Sequence, residues 1–207
     1  RCMLSMAADG SLYGHLGITL LETIVSFLLV IGFTLLITIL LWISPSVSKT
    51  VEPYLVVLNS LPKSALAPLL IVWLGGNYKT IIVTGMSVAI FGSVLSLYTD
   101  FMEVSSEKLK LIETLGGTRK DILCKILIPA NIPSLLSIMK VDIGLCLVGV
   151  IIGEFIASRK GLGFLIIYGS QVFKLDWVLM SIIILCLIAI GLDVLIHGVE
   201  KWYVKRL

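Results

Sequence analysis

The feature that most constrains this chain is a set of long apolar runs that contain no charge. Thr23 to Ser48 and Thr80 to Thr99 hold no Asp, Glu, Lys or Arg. About 20 apolar residues are enough for a helix to cross the hydrocarbon core of a bilayer. A helix that is apolar all round has no water-facing side, so it belongs in a large core or a membrane. Composition separates the two. The 207 residues are 58% hydrophobic and 14% charged, whereas soluble domains average about 45–50% apolar and about 25% charged. Soluble globular, disordered and disulfide-rich secreted classes are excluded. Divided into spans, the length accommodates about five or six helices and no sizeable catalytic domain.

Five spans are expected, giving an all-α polytopic membrane protein. The first runs from Leu16 through the uncharged stretch and ends at Pro45 and Ser46. The second covers about Pro53–Leu74 and is kinked or late-starting, because Pro62 and Pro68 interrupt it. Gly75-Gly76-Asn77 reads as a tight turn, and Thr80–Thr99 is the third span. Asp100–Lys125 is polar. The fourth span starts after Pro129 and Pro133 and reaches Ala157. Ser158–Asp176 is expected to be a loop carrying Gly161 and Gly163, and the fifth span runs from Trp177 to about Val199.

Charge placement orients the spans. Lys49, the cations between Lys108 and Lys125, and Lys201, Lys205 and Arg206 fall on one side. Arg1, Lys79, Arg159, Lys160 and Lys174 fall on the other. The richer side is cytoplasmic by the positive-inside rule, which leaves residues 1–15 outside. The first residue is Arg1, not Met, and no signal-peptide pattern precedes the first run. A further helix upstream is therefore expected. The four cysteines include no CxxC pair and read as small buried residues. His15 and His197 stand alone, so no metal site is expected.

The cytoplasmic loop has internal order. Val104, Leu109, Leu111, Ile112 and Leu115 give its first segment an apolar side. Gly116-Gly117 is a helix stop, because glycine accepts the left-handed conformation. Thr118 followed by Asp121 reads as a capping box that starts a second helix. Ile122, Leu123, Ile126 and Leu127 form the stripe of that helix, and Ile128-Pro129 is expected to end it. Three readings fit such an elbow: a linker lying on lipid headgroups, a DNA-binding helix-turn-helix, and a docking surface for a cytoplasmic partner. A lone helix-turn-helix tethered to five spans is the least compatible, so no nucleic acid is expected.

Gly116 followed by Ile126-Leu-Ile-Pro129 is similar to the G-x9-I-x-L-P part of the EAA loop of binding-protein-dependent ABC importer permeases. Leu61–Gly76, Thr114–Leu136 and Gly153–Ile166 resemble three stretches of the nitrate/sulfonate/taurine branch, in the same order. The likeness runs from about Leu16 to Arg206. It implies a type I importer permease, MetI-like in fold, with residues 1–207 as one permease domain and a coupling elbow at about 104–128. It also implies a second permease copy, a pair of ATP-binding subunits that carry ATP and Mg, an extracytoplasmic substrate-binding protein, and membrane lipid around the spans. No cofactor is implied for this chain, which has no G-x4-G-K-[ST] motif. Enzymatic activity is not expected of it.

The departures from the family pattern are local. Lys110 stands where the motif glutamate belongs, with Glu107 and Glu113 as substitutes for it. Leu111 and Ile112 replace alanines. The expected coupling residues are these five with Leu115, Gly116, Gly117, Thr118, Asp121, Ile126 and Pro129. Lys140, Asp142 and Glu154 are candidate pathway residues, because a charge within a span is costly and each needs a partner. Glu22, Glu154 and Asp193 are expected near span ends, and Lys63 is expected to snorkel to the cytoplasmic face. Gly149 and Gly153 form a GxxxG face for a close helix neighbour or the second protomer. The competing reading is an ion-coupled secondary transporter using Lys140, Asp142 and Glu154, but no inverted repeat supports it. An intramembrane enzyme would need a nucleophile–base set or a metal cluster, and none stands out.

Overall fold

The computed structural model describes residues 10–204, all in helices and short connections. Helix α1 (Ser11–Ile43) is the first span and ends where expected. Ser44 is extended, as a residue before proline tends to be. Pro45 then opens α2 (Pro45–Ser60) from the first-turn position, which needs no amide donor. Helices α2 and α3 (Lys63–Leu74) are bent by 101° at Leu61-Pro62. The kink expected in the second span is thus a sharp break, with Pro53 and Pro68 inside the two helices. Gly75 turns the chain at φ 80°, and the Asn77 side chain accepts from the amides of Lys79 and Thr80 to start α4 (Tyr78–Glu103).

The elbow follows as α5 (Ser106–Thr114) and α6 (Arg119–Ile122), then a π-helical turn, Leu123–Leu127. The structure corrects one expectation here: Ile128-Pro129 does not end the helix. The Ile128 amide donates to Leu123 O in the i→i+5 pattern, and α7 (Ile128–Ala157) continues without a gap. Pro129 follows the π-helical turn directly, within one continuous helical run. A second correction concerns Ser158–Asp176, which contains a ten-residue helix, α8 (Leu162–Gln171). Helix α9 (Leu175–Val204) closes the described chain. Four helices are long and apolar enough to cross a membrane, and the bent α2–α3 pair has the form of a broken fifth span or a re-entrant loop. Residues 1–9 and 205–207, including Arg1, Lys205 and Arg206 of the charge count, lie outside the described residues.

Helices α1, α4 and α7 form the centre. Lipid tails are as apolar as leucine, so close backbone approach has to hold helices together instead of the hydrophobic effect. Small residues supply that approach. A Cβ on Gly149 would come within 2.8 Å of the Gly85 Cα and 3.0 Å of the Thr84 carbonyl. One on Gly85 would come within 2.7 Å of the Ser26 Oγ. Ser26 also donates across the contact to the Ile82 carbonyl, at 3.1 Å. The GxxxG face of α7 is therefore used inside the chain, against α4. On α9, by contrast, Ile183, Leu187, Ile190 and Val194 are each about 60% exposed. Their helical spacing makes a lipid-facing stripe.

Gly149→Val should overpack this centre and lower stability by about 1–3 kcal/mol. Gly144→Ala, where an added Cβ meets nothing within 4 Å, should be near neutral. Thermal unfolding of the two variants in detergent tests the pair.

Candidate functional site

The elbow is built from capped ends. Gly116 adopts φ 77°, and the Gly117 amide donates to the Ile112 carbonyl at 2.8 Å. That i→i+5 bond over a left-handed residue is a Schellman stop. Gly117 is small for a different reason: an added Cβ would run into the Ile112 side chain. Thr118 then caps α6 reciprocally. Its amide donates to Asp121 Oδ2 at 2.9 Å, and the Asp121 amide donates to its hydroxyl at 3.4 Å. Lys125 pairs with Asp121 at 2.7 Å. That bond, with those from Thr118, holds the half-buried Asp121 carboxyl below the ordinary carboxylate range. Arg119 reaches the last carbonyl of α1, Ile43 O, at 3.5 Å.

The apolar side of the elbow is covered by the bundle. Leu109 and Ile112 of α5 pack with Ile122 and Leu127 against Leu97 and Phe101 of α4. The α1 residues Leu35, Ile39 and Trp42 close the same cluster. Ile126 is half-buried, while Glu107, Lys110, Thr118 and Pro129 are exposed. Leu115, at the tip, is 74% exposed. The side chains of Leu111 and Glu113 lie outside the described residues.

The structure separates the three candidate pathway residues. Lys140 forms an ion pair with Glu200 of α9, which His197 Nδ1 also approaches at 3.2 Å. Asp142 is 2% exposed and accepts from Ser93 of α4 at 2.5 Å. It lines a cavity of about 450 Å³ together with Lys63 and Asn59. Glu154 lies elsewhere. Glu154 lies near the end of α7, as expected, and both it and Glu22 are buried in the protein, Glu154 completely. Lys63 lines the cavity, and its Nζ donates to Asn59 Oδ1 at 3.3 Å. Its neighbours Asn59 and Asp142 are not legible in the sequence, because the 101° break beside it is a tertiary feature.

Glu154 ties three elements together. The Thr19 hydroxyl of α1 donates to its Oε1 at 2.7 Å, and the Gly163 amide donates to its Oε2 at 2.6 Å. The Leu162 amide donates in turn to Thr19 Oγ1 at 2.9 Å, and the Gly161 amide to His15 Nδ1 at 2.9 Å. A carboxyl is thus seated at the N-terminus of α8, where amides point outward and the helix dipole favours negative charge. Gly161, at φ 107°, and Gly163 are the residues whose Cβ would collide with the Glu154 side chain. This geometry explains why Ser158–Asp176 is ordered. Glu154→Leu would strand the buried Gly163 amide, at about 1–3 kcal/mol, while the Thr19 hydroxyl keeps the His15 carbonyl at 3.3 Å. It should lower thermal stability and speed amide hydrogen exchange over residues 160–166, relative to exchange in α4.

Comparison with known proteins agrees with this architecture. The family model described as binding-protein-dependent transport system inner membrane component matches residues 28–207. A probable ABC transporter permease protein of Haemophilus influenzae is 28% identical over 190 residues, covering 90% of this chain and 78% of the relative. The taurine transport system permease protein TauC of Escherichia coli is 24% identical, covering 93% and 70%. The putative aliphatic sulfonates transport permease protein SsuC of Bacillus subtilis is 26% identical, covering 95% and 71%. A chain of the inward-facing MetNI methionine ABC transporter superposes with a TM-score of 0.75 at 17% identity, covering 89% of this chain and 92% of that one. It shares the fold. With a model match over residues 28–207 and the helical bundle that the family implies, this chain belongs to the multi-pass inner membrane components of binding-protein-dependent transport systems.

Proposed function

We propose that this permease moves a small solute inward on energy supplied by a separate pair of ATP-binding subunits, and that residues 104–128 receive their motion. The observation that carries this reading is the elbow's construction. A Schellman stop and a capping box fix its angle, its apolar side is tied to α1 and α4, and Leu115 stands out at the tip. A linker resting on lipid headgroups would turn that apolar side outward. Displacing this elbow displaces the ends of the spans it is packed on. The π-helical turn joins it to α7, which lines the cavity.

The partners follow from the same reading: a second copy of the chain to complete the pathway, ATP and Mg on the ATP-binding subunits, an extracytoplasmic binding protein that delivers solute, and lipid around α9. Catalysis by this chain is not part of the scheme. Relatives are named for taurine, aliphatic sulfonates and formylaminopyrimidine, so solutes of that size are the range to test. An ion relay through Lys140, Asp142 and Glu154 gains no support, since Lys140 is engaged by Glu200 and Glu154 by Thr19 and Gly163.

Gly116→Val tests the elbow. The space around Gly116 is open, so the penalty comes from φ 77° alone, about 1–2 kcal/mol for a side chain in the left-handed region. The variant should insert and fold. It should lose most of its co-purifying ATP-binding subunit and its ATP-driven uptake. Normal retention and normal uptake would return residues 104–128 to the role of a connector.

A further inference from the structure

The cavity that α7 shares with the broken span holds two opposite charges that do not meet. Asn59 of α2, Lys63 of α3, Ser93 of α4 and Asp142 of α7 all line it. Ser96 and Ser137 add hydroxyls, and the remaining wall is apolar. Lys63 has Asn59 as its polar partner and no carboxylate within ion-pair distance among the described residues. Asp142 accepts one hydrogen bond, from Ser93. Lys140 shows how this chain settles a structural charge in a span, by direct pairing with Glu200. Lys63 and Asp142 share a chamber without such pairing, although an uncompensated charge at membrane depth is costly. About 450 Å³ is within the usual range for a small-molecule site, as is a mostly apolar wall with a few placed polar groups.

We propose that this cavity binds a small zwitterion, with Lys63 and the Asn59 amide receiving its anionic group and Asp142 its cationic group. A solute with separated charges satisfies both residues at once. A singly charged solute leaves one of them unpaired. The 101° break at Leu61-Pro62 is what places Lys63 over the chamber. The proposal deepens the importer reading and rests on it, since it assigns the solute class that the pathway holds in transit.

The test is equilibrium binding to the full chain in nanodiscs of phosphatidylglycerol alone, which excludes zwitterionic headgroups. The probes are radiolabelled taurine and β-alanine, with isethionate and ethylamine as singly charged competitors. At least one zwitterion should bind saturably, about tenfold or more tighter than either competitor, as expected when one charged partner is lost. Lys63→Gln and Asp142→Asn should each weaken it by a similar factor. Asp142→Asn should also narrow the difference between taurine and isethionate. Lys63→Arg and Asp142→Glu should keep most of the binding, which separates lost charge from lost fold. The proposal is overturned if neither zwitterion binds, if a singly charged competitor binds as well as both, or if both neutral variants bind like wild type. Displacement of the probe by added phosphatidylethanolamine would assign the chamber to lipid and overturn it too. The importer reading is scored separately, by whether the wild-type chain retains its ATP-binding subunit.

Discussion

Everything in this molecule depends on how closely three helices approach at their backbones. In a bilayer, burial of apolar side chains against one another gains little over burial in lipid, so contact distance and interhelical hydrogen bonds decide which helices associate. Gly85 on α4 and Gly149 on α7 sit at the crossing, with Ser26 of α1 against them. That arrangement sets where Ser93 meets Asp142, one turn-pair further along the same two helices. It also sets the spacing of the span ends on which the elbow is seated. The outer helix α9 is joined more loosely, and its ion pair with Lys140 is the polar tie that fixes its register on α7.

At its two ends the bundle carries two devices built on the same principle, a helix terminus satisfied by a side chain. On the elbow, Thr118 and Asp121 close the start of α6, and Gly116 closes the end of α5. At the far end of α7, Glu154 closes the start of α8 while bonded to α1. In the first device Gly116 and Thr118 are exposed. The second is buried and has no accessible face. Two motifs of comparable length in the sequence thus differ in use, and burial is what tells them apart.

The cavity lies between these ends, bounded by the broken α2–α3 pair. Its polar lining is sparse: Asn59, Lys63, Ser93, Ser96, Ser137 and Asp142 in an otherwise apolar wall. The π-helical turn at Leu123–Leu127 joins the elbow to α7. It is one continuous piece of backbone with α7, which contributes Ser137 and Asp142 to the wall.

Much of this was legible in the residues. Uncharged runs longer than a bilayer is thick have one stable environment, so the spans and the all-helical class follow from composition and length. The elbow's stop and start were legible too, because a left-handed glycine and a Thr–Asp capping pair are local chemistry. What the residues could not show was which distant groups meet. Pro129 looked like a terminator, since a π turn is visible only in the hydrogen-bond register. Ser158–Asp176 looked like a loop, since α8 owes its order to Glu154 and Thr19, and Thr19 is more than 140 residues away. The surroundings of Glu154 and Lys63 were hidden, because position along a span does not tell burial or partner. Only the packing of α1, α4 and α7 decided that Glu154 is a buried tie. Only the break at Leu61-Pro62 decided that Lys63 shares a chamber with Asp142, for a helix direction is set by its neighbours and not by its own sequence.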